Sequence, residues 1–411
     1  MGGGLTSARN AAEGRRLRVA FVSHCLTPGE ARAGRIGGAE RAAAELLAAL
    51  RARPDLEVTP LIASAASDRL GFVSFALGAL SGLRRLARAG AIDAVLFTAL
   101  PTAWMSLVLR RIFDQTGVVT ASICHGHDVT WGFPPYQALA PHVLSALDAV
   151  SPVSAATGSH CLARGLEPSR MHVVPNGADM SRFSPAPRFE DRRAILSAGF
   201  PEAAASLAPQ DLVLCTVGRQ VRRKGHAWFV REVMPRLGPD VTLWLAGDGP
   251  EAPVIDAAAR QAGVAARVLR LGAVSETQLQ ALYRGADLFV MPNVPVAGDI
   301  EGFGLVMLEA NLGGMPVMAA DFEGLAEVVT EGVNGRLAPT LDAAAFARVI
   351  AELNADPDQR ARLGRDGEAH VRARFGWAPV ADRQVEILRR LRSERSRRPA
   401  SRQLTPAFAP R

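Results

Sequence analysis

The order strand, glycine-bearing loop, helix opens this chain and starts again near its middle, and that restart constrains the fold more than any other feature. Residues 17–22 (LRVAFV) form a short continuous apolar run, the pattern of a strand buried on both faces. A loop rich in Gly and Arg follows over residues 29–38, then an alanine- and leucine-rich helical run over 39–51. At residues 212–217 (LVLCTV) the order begins afresh with a strand, then Gly218, Arg219 and the basic loop VRRKG, then a helix over 227–237. The first half carries further strand candidates at 58–63, 94–97, 118–123 and 150–154, and one from Met171 into a turn built on Pro175, Asn176 and Gly177. The second half carries them at 241–246, 268–271, 288–291 and 316–319, with an edge strand after the Asn334-Gly335 turn. Strands alternating with helices in both halves imply an α/β protein of two Rossmann-like, doubly wound parallel sheets.

A length of 411 residues fits two domains. The boundary is expected near residue 190, at the start of a stretch of Pro, Ala, Ser and mixed charge. The expected layout is a flexible N-terminus over 1–16, a first domain over 17–190, a second over 191–372, a helix over 373–390 and a disordered basic tail over 391–411. Of the 47 basic residues only Lys224 is lysine. The arginine excess is therefore a usage bias and does not imply nucleic acid as a partner. Cys25, Cys124, Cys161 and Cys215 are widely spaced and form no CxxC pair, as expected of buried reduced thiols in a cytoplasmic protein. The first sixteen residues lack the apolar core of a secretory signal, and no run reaches the roughly 18 apolar residues of a membrane span. The segment 71–83 (GFVSFALGALSGL), flanked by Arg84, Arg85 and Arg88, has two readings. It is a core helix of the first domain, or an interfacial helix that would place the protein at the inner face of the cytoplasmic membrane.

The chemistry concentrates in residues 301–309 (EGFGLVMLE). Prolines and a glycine before Glu301 require a loop, so a helix is expected to begin near Phe303, with Glu309 about two turns in. A helix N-terminus offers unpaired N–H groups and the positive dipole end, a natural seat for an anion. Arg219 and Lys224 flank the loop after the first strand of the second half, and a guanidinium with an ammonium suits a diphosphate. Lysine at this one place, where arginine is used everywhere else, sets the loop apart from ordinary solvated charge. Gly37 and Gly38 lie at a helix start, where backbone approaches a ligand closely, but without the GxGxxG spacing of a nicotinamide site. His125 and Asp128 in HGHD fall just past a strand end, where open α/β sheets place ligands. His125 and His127 lack the further ligands of a metal site, and Asp356-Pro357-Asp358 reads as a surface turn.

Six motifs in order, GGAE (37–40), HGHD (125–128), PNGAD (175–179), GR with RRKG (218–225), AGDGP (246–250) and Glu301-x7-Glu309, resemble the retaining GT-B glycosyltransferases of group 1. These include glycogen-synthase-like and phosphatidylinositol-mannosyltransferase-like enzymes. The resemblance implies a GT-B fold, with two domains facing a central cleft and the 373–390 helix crossing back to the first domain. It implies a hexosyltransferase taking a UDP-, GDP- or ADP-sugar, without metal or other cofactor, and a sugar or lipid-linked acceptor in cell-surface polysaccharide or glycolipid assembly. Arg219 and Lys224 would bind the diphosphate, Glu309 the ribose and Glu301 the donor sugar. The N–H groups of Phe303, Gly304 and Leu305 would lie near sugar and phosphate, Gly37 and Gly38 would let the first domain close on the donor, and His125 would hydrogen-bond the sugar. The alternatives are a GT-B nucleotide-sugar epimerase and a non-catalytic sugar-nucleotide-binding protein.

Overall fold

The computed structural model describes residues 15–24, 38–63, 69–183 and 191–397. Among the described residues eleven strands form two separate sheets. The first holds β1 (Leu17–Ser23), β2 (Leu56–Ile62), β3 (Ala94–Phe97), β4 (Val119–Cys124) and β5 (Ala149–Pro152) in the order β2-β1-β3-β4-β5. The second holds β6 (Leu212–Val217), β7 (Val241–Ala246), β8 (Val268–Gly272), β9 (Leu288–Met291), β10 (Val317–Asp321) and β11 (Gly335–Pro339) in the order β11-β10-β9-β6-β7-β8. All ladder pairs are parallel. Central strands are buried on both faces, which is why they read as unbroken apolar runs. Each sheet reverses its strand order once, between β1 and β3 and between β6 and β9. Ligands of open α/β sheets bind outside the carboxyl ends of the strands at such points.

Several elements differ from the sequence expectation. The run from Met171 pairs with β5 only by a bridge at Val150 and two backbone hydrogen bonds, so it is an extended connection. The 227–237 helix changes hydrogen-bond register along its length. An α turn at His226–Trp228 passes into a π turn at Phe229–Val233 and a 3-10 turn at Met234–Arg236. Pro235 has no N–H and its ring crowds the carbonyl four residues back, which forbids the regular ladder there. The 301–309 helix begins at Leu305 rather than Phe303, because Gly304 adopts φ +82°. Asp356-Pro357-Asp358 is exposed at the break between two helices, as expected, and Asp356 caps the Pro357–Arg374 helix by accepting from the Gln359 N–H.

The last helix spans Trp377–Arg397 and overruns the expected end at 390. Composition alone suggested a tail, but Arg392 pairs with Asp93, and Arg395 pairs with Asp114 and Asp148. All three carboxylates lie on the first domain, so this helix crosses back to it. Val380, Ala381, Val385 and Leu388 are buried along it, and Ser151 at the end of β5 donates to Gln384.

The Arg69–Arg88 helix packs one side into the first domain, as the core-helix reading expects. Phe75, Ala76, Ala79, Leu83 and Ala87 are buried on one side, while Phe72, Val73 and Leu77 stay exposed, as do Arg84, Arg85 and Arg88. Among the described residues no helix is long and apolar enough to cross a membrane. Cys124, Cys161 and Cys215 are buried free thiols; Cys25 and Gly37 lie outside the described residues.

Candidate active site

The carboxyl ends of β6 and β9 supply one wall of the cleft. After β6 the chain passes Gly218 and a 3-10 turn, Arg222–Lys224, closed by Gly225 at φ +69°. A Cβ on Gly225 would lie 2.0 Å from the Pro292 carbonyl oxygen, so only glycine lets this loop press against the exit of β9. The contact buries the Lys224 ammonium beside the Glu301 loop. Lys224 Nζ is 2.7 Å from Glu301 Oε2, Asn293 Nδ2 donates to the same oxygen at 3.2 Å, and Arg223 Nε lies at 3.4 Å. Lys224 is 7% exposed and Glu301 9%. Burial by itself raises the Glu301 carboxyl, but the charges of Lys224 and Arg223 bring it below the ordinary carboxylate value. Burial also draws Lys224 below the ordinary amine value, against the pull of Glu301. The neighbouring His226 is held neutral, with its pKa pushed down to about 3, first by burial and then by Lys224.

The opposite wall comes from the end of β4. The His125 N–H donates to Asp128 Oδ1 at 2.8 Å, and its Nε2 lies 2.9 Å from the Thr98 carbonyl oxygen beyond β3. A carbonyl only accepts, so Nε2 carries a proton, and in the neutral ring Nδ1 is the acceptor. The two walls meet backbone to backbone: a Cβ on Gly302 would lie 1.8 Å from the His125 carbonyl oxygen. Gly38, at the first turn of the Gly38–Arg51 helix, sits so that a Cβ would be 3.6 Å from Leu305 Cδ1. The glycine of GGAE thus faces the helix that EGFG begins. In the first turn of the Leu305–Leu312 helix the Met307 N–H donates to the Gly304 carbonyl, and the Leu305 and Val306 amides come before the intrahelical ladder begins. Phe303 turns its ring into the core against Phe375, so only its backbone remains for a ligand.

Glu309 lies inside that helix and is buried. Its Oε1 pairs with both Arg41 and Arg182, and Tyr283 Oη donates to Oε2 at 2.9 Å. Arg182 also pairs with Glu276. A carboxylate has about four lone-pair sites, so one on Oε2 remains. Arg219 lies in the same loop after β6 as Lys224, ahead of the 3-10 turn, but its side chain is exposed and in no ion pair among the described residues.

The structure therefore gathers Lys224, Glu301, Gly304 and Leu305 on one side and His125 and Gly38 on the other. Glu309 stands behind them within its own arginine clamp. Sequence reasoning did not single out Arg41, Arg182, Tyr283, Asn293 or Glu323. Arg41 directly follows GGAE and Arg182 follows PNGAD by three residues, so proximity to the motifs was the available signal.

Two facing doubly wound parallel sheets with this cleft between them make a GT-B fold. The chain is similar over 92% of its length to the whole of the sucrose-phosphate synthase of Thermosynechococcus elongatus, at 22% identity and a TM-score of 0.72. The family models for glycosyl transferases group 1 and glycosyltransferase family 4 match residues 211–356 and 36–182. A GDP-mannose-dependent alpha-(1-6)-phosphatidylinositol monomannoside mannosyltransferase of Mycolicibacterium smegmatis is 30% identical over 314 residues, covering 75% of this chain and 79% of the relative. A D-inositol 3-phosphate glycosyltransferase of Xylanimonas cellulosilytica is 34% identical over 228 residues, 54% of this chain and 52% of the relative. The chain belongs to the group 1 glycosyltransferases.

Proposed function

We propose that this glycosyltransferase moves a hexosyl group, with retention of configuration, from a nucleoside diphosphate sugar to an acceptor hydroxyl in the assembly of a cell-surface polysaccharide or glycolipid. The observation that carries the reading is the buried Lys224 ammonium at the β6/β9 reversal, beside Glu301 and the N-terminus of the Leu305–Leu312 helix. Departure of the nucleotide puts charge on the diphosphate and leaves an oxocarbenium-like sugar. Lys224, Arg219 and the helix amides supply fixed positive charge where that anion grows, the role a cation would otherwise fill. Glu301 accepts from sugar hydroxyls. Glu309 accepts one ribose hydroxyl at its remaining lone pair, and a second hydroxyl competes with an arginine. His125 offers Nδ1 to the sugar. The acceptor attacks from the face the diphosphate leaves, and a phosphate oxygen takes its proton, so no covalent sugar–enzyme bond is required.

A screen of GDP-, UDP- and ADP-hexoses for nucleoside diphosphate release, with and without sugar and lipid-linked acceptors, tests this reading. GDP-mannose is the first donor to try, since the M. smegmatis relative is named for it. Acceptor-dependent release and an axial product linkage by NMR support it, and an equatorial linkage overturns retention. An epimerised sugar formed without acceptor, free or still on its nucleotide, identifies an epimerase, and binding with neither release nor epimerisation identifies a non-catalytic protein. The exposed Phe72, Val73 and Leu77 beside Arg84, Arg85 and Arg88 support peripheral contact with an anionic membrane, where a lipid-linked acceptor would be met. Sedimentation with anionic vesicles, lost when the three arginines become glutamate, is the expected result, and undiminished binding refutes it.

A further inference from the structure

Among the described residues only Glu323 and Leu341 are non-glycine residues with positive φ. Leu341 is in an exposed turn. Glu323, at φ +50°, is in the turn after β10 that abuts the Glu301 loop. The turn is pressed against that loop as closely as backbone allows. A Cβ on the next residue, Gly324, would lie 2.1 Å from the Gly302 carbonyl oxygen and 3.1 Å from that of Glu301. The Gly324 N–H points to the Glu301 carbonyl at 3.4 Å, and the Glu323 carboxylate accepts from the Glu301 N–H at 2.7 Å. Residue 301 is thus held from both sides of its backbone by one turn.

Glutamate is an expensive choice here on three counts. A left-handed backbone disfavours any residue with a Cβ. The half-buried carboxylate is pushed up from the ordinary value by burial, an effect the Glu301 amide opposes and the nearby Glu301 charge adds to. Like charges also repel at close range. Glycine would avoid all three, and among the described residues the one hydrogen bond of the Glu323 side chain is that to the Glu301 amide. Strain of this kind persists where function uses it.

We propose that Glu323 is a positioning residue for the donor sugar. It acts through Glu301, fixing the 301 peptide so that the Glu301 carboxylate and the amides beyond Gly304 face the same ligand. The inference rests on the reading of Glu301 given above.

Glu323→Gly removes the carboxylate and relieves the backbone. Glu323→Gln keeps an oxygen that accepts from the Glu301 N–H. For Glu323→Gly we expect an unchanged or higher urea midpoint and free nucleoside diphosphate affinity within about twofold. Its kcat/KM for the nucleotide sugar should fall about tenfold to a hundredfold, the order a small misplacement of a reacting group produces. Glu323→Gln should recover turnover to within about threefold of the parent. Hydrogen exchange reads the same contact without substrate: the Glu301 amide is protected in the parent and in Glu323→Gln and exchanges faster in Glu323→Gly. The proposal is overturned if Glu323→Gly leaves turnover or amide protection unchanged. It is equally overturned if nucleotide affinity falls in step with turnover, or if Glu323→Gln is as impaired as the glycine variant. A parent protein that turns over no nucleotide sugar overturns the functional reading instead, and the exchange data still decide the positioning contact.

Discussion

Replacing Lys224 with methionine separates the stability of the site from its chemistry. The ammonium is buried and lies 2.7 Å from Glu301 Oε2. Removing one partner of a buried ion pair costs about 3–5 kcal/mol, because the other charge stays buried without it. Asn293 and Arg223 still face Glu301, at 3.2 and 3.4 Å, which places the loss near the lower end, about 3 kcal/mol. The double variant Lys224→Met, Glu301→Gln removes both charges and leaves Asn293 a neutral acceptor. Its stability should return most of the way to the parent, with a coupling energy of about 1.5–3 kcal/mol in the double-mutant cycle. Turnover should not return, because a preorganised donor at developing charge accounts for about 10²–10³ in kcat. Urea unfolding of the four proteins supplies the cycle, and release of nucleoside diphosphate supplies the rates. Additive stabilities, with coupling below about 0.5 kcal/mol, refute the buried-pair argument. Turnover of Lys224→Met within about fivefold of the parent refutes the diphosphate assignment, since a lost charge-stabilising donor has a far larger effect.

Gly302→Ala places a methyl 1.8 Å from the His125 carbonyl oxygen and 2.7 Å from its carbon, so the two walls must part. Turnover should fall at least about a hundredfold, in line with misplacement of reacting groups, and the radius of gyration from X-ray scattering should rise; an unchanged radius contradicts the packing described. His226 has a folded pKa of about 3, against about 6.5 when unfolded. The unfolded chain therefore binds a proton that the folded one does not, and stability is lost as pH falls from about 6.5 toward 3. Between pH 7 and pH 5 this one group removes about 2 kcal/mol, so in His226→Gln the difference in unfolding free energy between those two pH values should shrink by that amount.

The second sheet was legible because its central strands are covered on both faces, and LVLCTV or LFVM has no other comfortable place to go. Lys224 was legible because arginine is used at every other basic position. The same habit hid Arg41 and Arg182. Two arginines among so many carry no mark, and they reach Glu309 from 268 and 127 residues away. Glu323 was hidden differently. EGLAEVV reads as the start of a helix, and nothing in the letters says that its first residue turns left-handed to hold the backbone of Glu301. The final helix was underestimated for a third reason. Its last two turns are mostly Arg and Ser, and the partners that order them are aspartates of the first domain.

That helix also sets a clock. All five strands of the first sheet have been made once residue 152 is added, yet the Trp377–Arg397 helix that covers Ser151 and pairs with Asp93, Asp114 and Asp148 is made after both sheets. At about 5–20 residues per second, the stretch from residue 152 to the end of that helix at Arg397 takes on the order of 12–50 s to synthesise. For that time the first domain presents an apolar seam meant for Val380, Val385 and Leu388 and has nothing of its own to close it. The first sheet therefore waits for this covering helix until every strand of the second sheet has been made.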